Sequence, residues 1–247
     1  MRKYALYFLT GWLLLHSGVA AALSDKEAFI LHQITQGNAE QLRAGARGIV
    51  ESGLDSAEVL DPLAETMLQN YTKGGDYVDA IAWVAKAFAE AGNVRYVGVL
   101  DKIASQKGNR KIRGAAKKAR KALGDPGAAE QYQAGSVDLA AVKKAADREY
   151  ERMVKALKPA DGFESIAIVE VGMSQSQIMA RCGPPTSTTA YITGKSFIPF
   201  NFRGRDTVRT QLLYKGQGRI IVANNSAYTS NASAIEVIID PSEVGYR

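Results

Sequence analysis

From Ser24 to Leu123 the chain is punctuated as one helix after another, which limits this stretch to an all-α arrangement. Ser24-Asp25-Lys26-Glu27 is a capping box, in which Ser24 and Glu27 satisfy each other's free backbone N–H groups. Asn38 precedes a stripe of Leu42, Ala46, Ile49 and Val50 that Gly53 ends. Asp55 with Glu58 repeats the capping pattern, and Asp61-Pro62 offers a second start or a kink. Asp76 opens a helix carrying Ile81, Val84, Ala85 and Phe88, stopped by Gly92. Asn93 begins another with Val97, Leu100 and Ile103. Asn109 begins the last, with Ile112, Ala115, Ala116, Ala119 and Leu123 on one face and Gly124 past its end.

The starts recur. First helices open near residues 24, 55 and 93, and second helices near 38, 76 and 109, a period of roughly 31 to 38 residues. This segment resembles HEAT-like repeats, including the proline of Asp61-Pro62, and the resemblance implies stacked helical pairs with a broad surface for protein contacts. A plain helical bundle is the other arrangement these stripes allow. Gly124-Asp125-Pro126-Gly127 then breaks the pattern. Ser136 is expected to cap a helix reaching about Lys158, with a narrow apolar seam of Leu139, Val142, Ala146, Tyr150, Met153 and Leu157. The seam predicts a helix lying against one of the domains, with a partner-binding helix as the alternative. Pro159-Ala160-Asp161-Gly162 ends it.

Beyond this connector the pattern changes. Ser174-Gln175-Ser176-Gln177 is a capping box for a short helix through Cys182, and Gly183-Pro184-Pro185 follows. Strands are expected at residues 186–193, 207–214, 219–223 and 235–239, with Lys215-Gly216-Gln217-Gly218 as a hairpin turn. The expected product is a small antiparallel meander covered on one face by a helical layer, an α+β arrangement. The order of Gly172-Met173-Ser174, Gln177-Ile178, Gly183-Pro184 and hairpin strands resembles the outer-membrane assembly family called BamE (SmpA/OmlA), over about 80 residues. That resemblance implies the family's fold and outer-membrane assembly components as partners. Two features set this chain apart, the lack of an N-terminal lipid-attachment cysteine and the added helical segment. The expected fold class is therefore multidomain: signal peptide 1–22, all-α helical-repeat (HEAT-like) domain 23–124, connector 125–162, and BamE-like α+β domain 163–247.

The first 22 residues fit a secretory signal: Arg2 and Lys3, an uncharged run over residues 4–15, and Ala20-Ala21-Ala22 as an A-x-A cleavage pattern. An uncleaved anchor is the alternative. The expectation is a soluble, exported, periplasmic protein without a lipid anchor. Removing Arg2 and Lys3 from 31 basic residues leaves 29 against 25 acidic, a net charge of +4. Cys182 is the only cysteine, so no internal disulfide is available, and it is expected to be a small buried residue. His32 is the one histidine beyond the signal segment, so zinc sites and Cys–His catalysis are poorly supplied. No HExxH, GxSxG or GxxxxGK[ST] pattern occurs, and neither a cofactor nor enzymatic activity is expected.

Two segments are candidate binding surfaces. Residues 193–209 place Phe197, Phe200 and Phe202 beside Lys195, Arg203, Arg205 and Arg209, with Gly194, Pro199 and Gly204 interrupting any strand. These phenylalanines either close the core or form a partner-binding loop, since aromatic residues with arginine dominate interface energies. Export argues against nucleic acid as its ligand. Residues 107–121 carry Lys107, Arg110, Lys111, Arg113, Lys117, Lys118, Arg120 and Lys121 without one acid, whereas residues 23–106 have 7 basic and 12 acidic residues. That run is either a solvated end face or a dock for anionic lipid, lipopolysaccharide or an acidic protein. The expected function is a non-catalytic periplasmic adaptor holding envelope proteins together. The alternatives are an anionic lipid-, lipopolysaccharide- or glycan-binding envelope protein, and a cell-wall enzyme using two carboxylates that face each other in a cleft.

Overall fold

The capped stripes become six helices in the computed structural model, which describes residues 23–193, 206–224 and 231–246. They are α1 (Asp25–Thr35), α2 (Ala39–Ser52), α3 (Ala57–Asn70), α4 (Tyr77–Ala91), α5 (Val97–Ser105) and α6 (Arg110–Leu123). The Ser24–Glu27 capping box forms, and Asn38 and Asn109 accept backbone N–H groups at the starts of α2 and α6. Gly53 and Gly92 end their helices in the left-handed conformation. Each helix packs on its sequence neighbour or on the helix two positions on: α2, α4 and α6 form one layer, and α1, α3 and α5 the other. Phe88 and Tyr96, both fully buried, stack at 4.7 Å in the core between the layers.

Three expectations are corrected here. Asp55 and Glu58 do not form a capping box; Ser56 occupies the N-cap of α3 and its Oγ donates to Glu27 Oε1 at 2.9 Å. The helix does not restart at Asp61-Pro62, because α3 is continuous through Pro62. The Asp61 carboxylate instead accepts hydrogen bonds from Arg95 (3.2 Å) and the Tyr96 hydroxyl (2.7 Å), tying α3 to the 3-10 turn Val94–Tyr96 that leads into α5. The connector helix α7 (Leu139–Ala156) is capped by Asp138, which accepts from the Ala140 and Ala141 amides, and not by Ser136. Upstream of it, Glu65 of α3 pins the connector by accepting from the Tyr132 hydroxyl and the Gly135 amide, each at 2.8 Å. Glu65→Ala should orphan two donors and cost about 2 kcal/mol in chemical denaturation.

The α7 seam is spent inside the protein. Ala146 joins the core of the helical layers, whereas Met153 and Leu157 join a second core. That second core lies under one face of a four-stranded antiparallel sheet in the order β1 (Ser187–Ile192), β2 (Val208–Tyr214), β3 (Gly218–Asn224), β4 (Ala232–Ile239). Leu212, Tyr214, Ile220, Val222, Ala234 and Ile239 meet Ile178 and Cys182 of α8 (Gln175–Cys182), Ile166, and also Ala28 and Phe29 of α1. Helices α1 and α7 therefore supply side chains to both cores. The expected meander is present, and the class is α+β: among the described residues, eight α-helices and one antiparallel sheet. The β2–β3 hairpin turns through Tyr214–Gln217, where Gly216 at φ +71° provides the left-handed position of a type II turn. Among the described residues, no helix is long and apolar enough to cross a membrane.

Candidate functional site

Strand β4 is an edge strand, with β3 on one side. On its other side, residues 172 and 173 exchange backbone hydrogen bonds with Ala234, and beyond that point Ile235–Ile239 run beside α1 and α2. Between them lies an open cleft of about 800 Å³, lined by Phe29, Tyr150, Val169, Ile235, Val237 and Ile239, and by Glu40, Arg43, Asp76, Glu170 and Glu236. A junction of two packed layers is where ligand clefts usually form.

Glu236 is the least ordinary group in it. A bulge between Ile221 and Val222 shifts the β3–β4 register and sets Glu236 opposite Ile221, on the sheet face turned toward α2. The residue is 4% exposed. Its nearest cation, Arg47 of α2, stands at 3.8 Å, and Glu236 Oε2 and Arg47 Nε both lack a hydrogen-bond partner. Burial pushes the Glu236 carboxyl up to about 7, helped by the charge of Glu51 and opposed by Arg47, Arg209 and Arg43. Burial likewise lowers the proton affinity of Arg47, which also lies over the Trp83 ring at 4.8 Å. The pair is too far apart for the attraction to offset desolvation. Gln41 Oε1, from the same cleft, is a second buried acceptor without a donor.

His32 stands at the opposite wall. Its ring stacks on Tyr150 at 3.9 Å and 6°, and its Nδ1 is 2.8 Å from Asp147 Oδ1 of α7. Burial lowers its proton affinity despite that carboxylate, so the ring is neutral at neutral pH and donates Nδ1–H to Asp147. Burial opposes ionisation of Asp147, yet hydrogen bonds from Lys143 (2.7 Å) and His32 hold its carboxyl below the usual range. This network clamps α1 to α7. Cys182 is 2% exposed and its Sγ contacts Ser165 O at 3.7 Å, and burial raises the thiol, so it is the small core residue expected and not a thiolate. Among the described residues no three His, Cys, Asp or Glu side chains converge as a metal site requires.

The basic run forms one long face of α6, with Ile112, Ala116, Ala119 and Leu123 buried beneath. Lys111 is paired to Asp79 at 2.8 Å, and Arg120 to Asp101 at 3.1 Å. Arg110, Arg113, Lys117, Lys118 and Lys121 have no ion pair among the described residues, and neither has Lys107. Phe197, Phe200, Phe202, Arg203 and Arg205 lie outside the described residues. Arg209 lies in β2 and donates from Nε and Nη2 to the two carboxylate oxygens of Asp206 (2.6 and 2.8 Å), which raises its proton affinity further; its side chain is 15% exposed. It therefore belongs to the charged cluster facing Glu236. Sequence reasoning missed Glu236 and Arg47; the available signal was one acid inside the apolar run Ala234-Ile235-Glu236-Val237-Ile238-Ile239. Comparison of the chain with protein-family models, with characterised proteins and with solved structures finds no match.

Proposed function

We propose that the protein is an exported, non-catalytic adaptor of the cell envelope, in which a HEAT-like portion (residues 23–124) is joined through residues 125–162 to a BamE-like portion (residues 163–247). Its role is to hold envelope proteins, outer-membrane assembly components among them, in one complex. The layering of α2, α4 and α6 against α1, α3 and α5 supports the repeat reading. The order of capping box, short helix, Gly-Pro and antiparallel meander supports the second.

The observation that carries the adaptor reading is the basic face of α6, where Arg110, Arg113, Lys117, Lys118 and Lys121 have no ion pair among the described residues. Arg113, Lys117 and Lys121 follow one another at four-residue spacing, where like charges repel and weaken a helix. An anionic partner surface removes that repulsion, and it gains about 1 kcal/mol per cation close to it. The triple variant Arg113→Glu, Lys117→Glu, Lys121→Glu should therefore lose its partner by on the order of 100-fold in affinity purification from envelope extract. Equal recovery with wild type and variant would refute this role for α6. A lipid-binding protein is the second reading, favoured by the same cations. Co-sedimentation with phosphatidylglycerol vesicles, but not phosphatidylcholine vesicles, that fades in high salt would establish it over the first.

A further inference from the structure

We propose that the cleft along the outer edge of β4, at Ile235–Ile239, binds a basic, extended peptide segment of a partner protein, with a lysine or arginine side chain reaching Glu236. This deepens the adaptor reading and rests on it. Three observations carry it.

The first is hydrogen-bond inventory. Glu236 Oε2 and Gln41 Oε1 are buried acceptors without donors, and both residues line the cleft. Leaving an acceptor buried and unmet costs free energy that a ligand N–H recovers. Each of these two oxygens accepts only, so each is met by a donor, and Arg47, at 3.8 Å with its Nε unpartnered, does not supply one to Glu236. The second is charge. Glu40, Asp76, Glu170 and Glu236 line the cleft with Arg43 as the one guanidinium in its wall, His32 being neutral there, while Arg47 and Arg209 act on Glu236 from outside that lining. A cation entering the cleft therefore meets complementary potential, and an anion does not. Arg47 stays behind Glu236, engaged with the face of Trp83.

The third is the shape of the wall. Ile235–Ile239 present an edge strand toward the cleft, and among the described residues only residues 172–174 pair with that edge, at Ser233 and Ala234. An added strand would find backbone partners along it, and side chains on alternate positions would fall toward the apolar wall of Phe29, Val169 and Val237 or toward the carboxylates. A free polyamine would satisfy the acceptors but use neither the strand edge nor the apolar wall. About 800 Å³ also exceeds what one small amine fills.

The probe is a fluorescein-labelled hexapeptide of alternating valine and arginine, followed by anisotropy with the full mature chain at pH 8. Saturable binding is expected, weakened at least tenfold by Glu236→Gln and by replacing each peptide arginine with citrulline, which keeps the shape and removes the charge. N-methylation of alternate peptide amides should weaken it as much, because it removes the strand pairing. Circular dichroism of Glu236→Gln should match wild type, which excludes misfolding as the cause. No saturable binding, binding indifferent to Glu236→Gln, or displacement by spermidine at equal concentration would overturn the proposal. If the hexapeptide fails while the α6 triple variant still loses its envelope partner, this inference falls and the adaptor reading stands. If the hexapeptide behaves as expected while α6 charge reversal changes nothing, the α6 role falls alone.

Discussion

Glu236→Gln should raise the melting temperature at pH 8 by about 5–10 °C, an unusual gain from a single buried substitution. The folded protein holds the Glu236 proton up to about pH 7, against an ordinary value of 4.5. Each unit of difference corresponds to about 1.36 kcal/mol, so ionising this carboxyl in place costs the fold about 3 kcal/mol. The sign follows from proton binding. The folded state takes up the proton more readily than the unfolded chain, so the stabilising contribution is complete below about pH 4.5 and disappears as pH rises through about 7. Glutamine mimics the neutral acid and removes the dependence. The charged groups acting on it are Glu51, Arg47 and Arg43 of α2 and Arg209 of β2. His32 acts in the opposite sense, since its lowered proton affinity makes stability fall on acidification below its ordinary 6.5. The difference between variant and wild type, followed by thermal melts from pH 5 to pH 8, isolates Glu236. A constant difference across that range would contradict the burial argument.

Gly218→Ala should be among the most damaging substitutions in the chain, costing about 4 kcal/mol or more. Gly218 opens β3 at φ +126°, a conformation that side-chain-bearing residues rarely adopt. A Cβ there would strike the Ile238 carbonyl oxygen and stand 2.7 Å from the Asp240 nitrogen. Both atoms belong to backbone, so no rotamer change relieves the clash, and the β3–β4 pairing of Gly218 with Ile239 must open. The sheet core contains Ala28, Phe29 and Met153 from α1 and α7, so the damage should spread into the helical layers. A fall of more than about 10 °C in melting temperature is expected, seen together in far-ultraviolet circular dichroism and tyrosine fluorescence. Gly216→Ala is the comparison. It has positive φ as well but open space around the added carbon, and should cost only about 1 kcal/mol.

The parts of this fold that were legible in the sequence are those decided within four residues. Ser24, Asn38, Asn109 and Ser174 cap helices through bonds to amides two or three positions on, and the burial of Ile112, Ala116 and Ala119 follows from helical spacing alone. Misreadings came where a distant partner competed. Ser56 takes the place expected of Asp55 because Glu27 of α1 receives its hydroxyl. Asp61 resembles a helix start, yet its partners are Arg95 and Tyr96, more than thirty residues away. The candidate site was the least legible. Glu236 and Arg47 are nearly two hundred residues apart in sequence, and neither sits in a motif; only the β4 bulge and the approach of α2 bring them together. The basic face of α6 was visible as composition and period. That Lys111 and Arg120 are neutralised by Asp79 and Asp101, leaving six other cations unpaired among the described residues, was not.

Site-specific photocrosslinking from position 118 in intact cells tests the adaptor role most directly, because Lys118 is exposed on the α6 face and unpaired among the described residues. An adduct with a defined envelope protein is predicted, lost when Arg113, Lys117 and Lys121 are reversed to glutamate. Absence of any adduct at this position, with the protein folded and present in the periplasm, would contradict it.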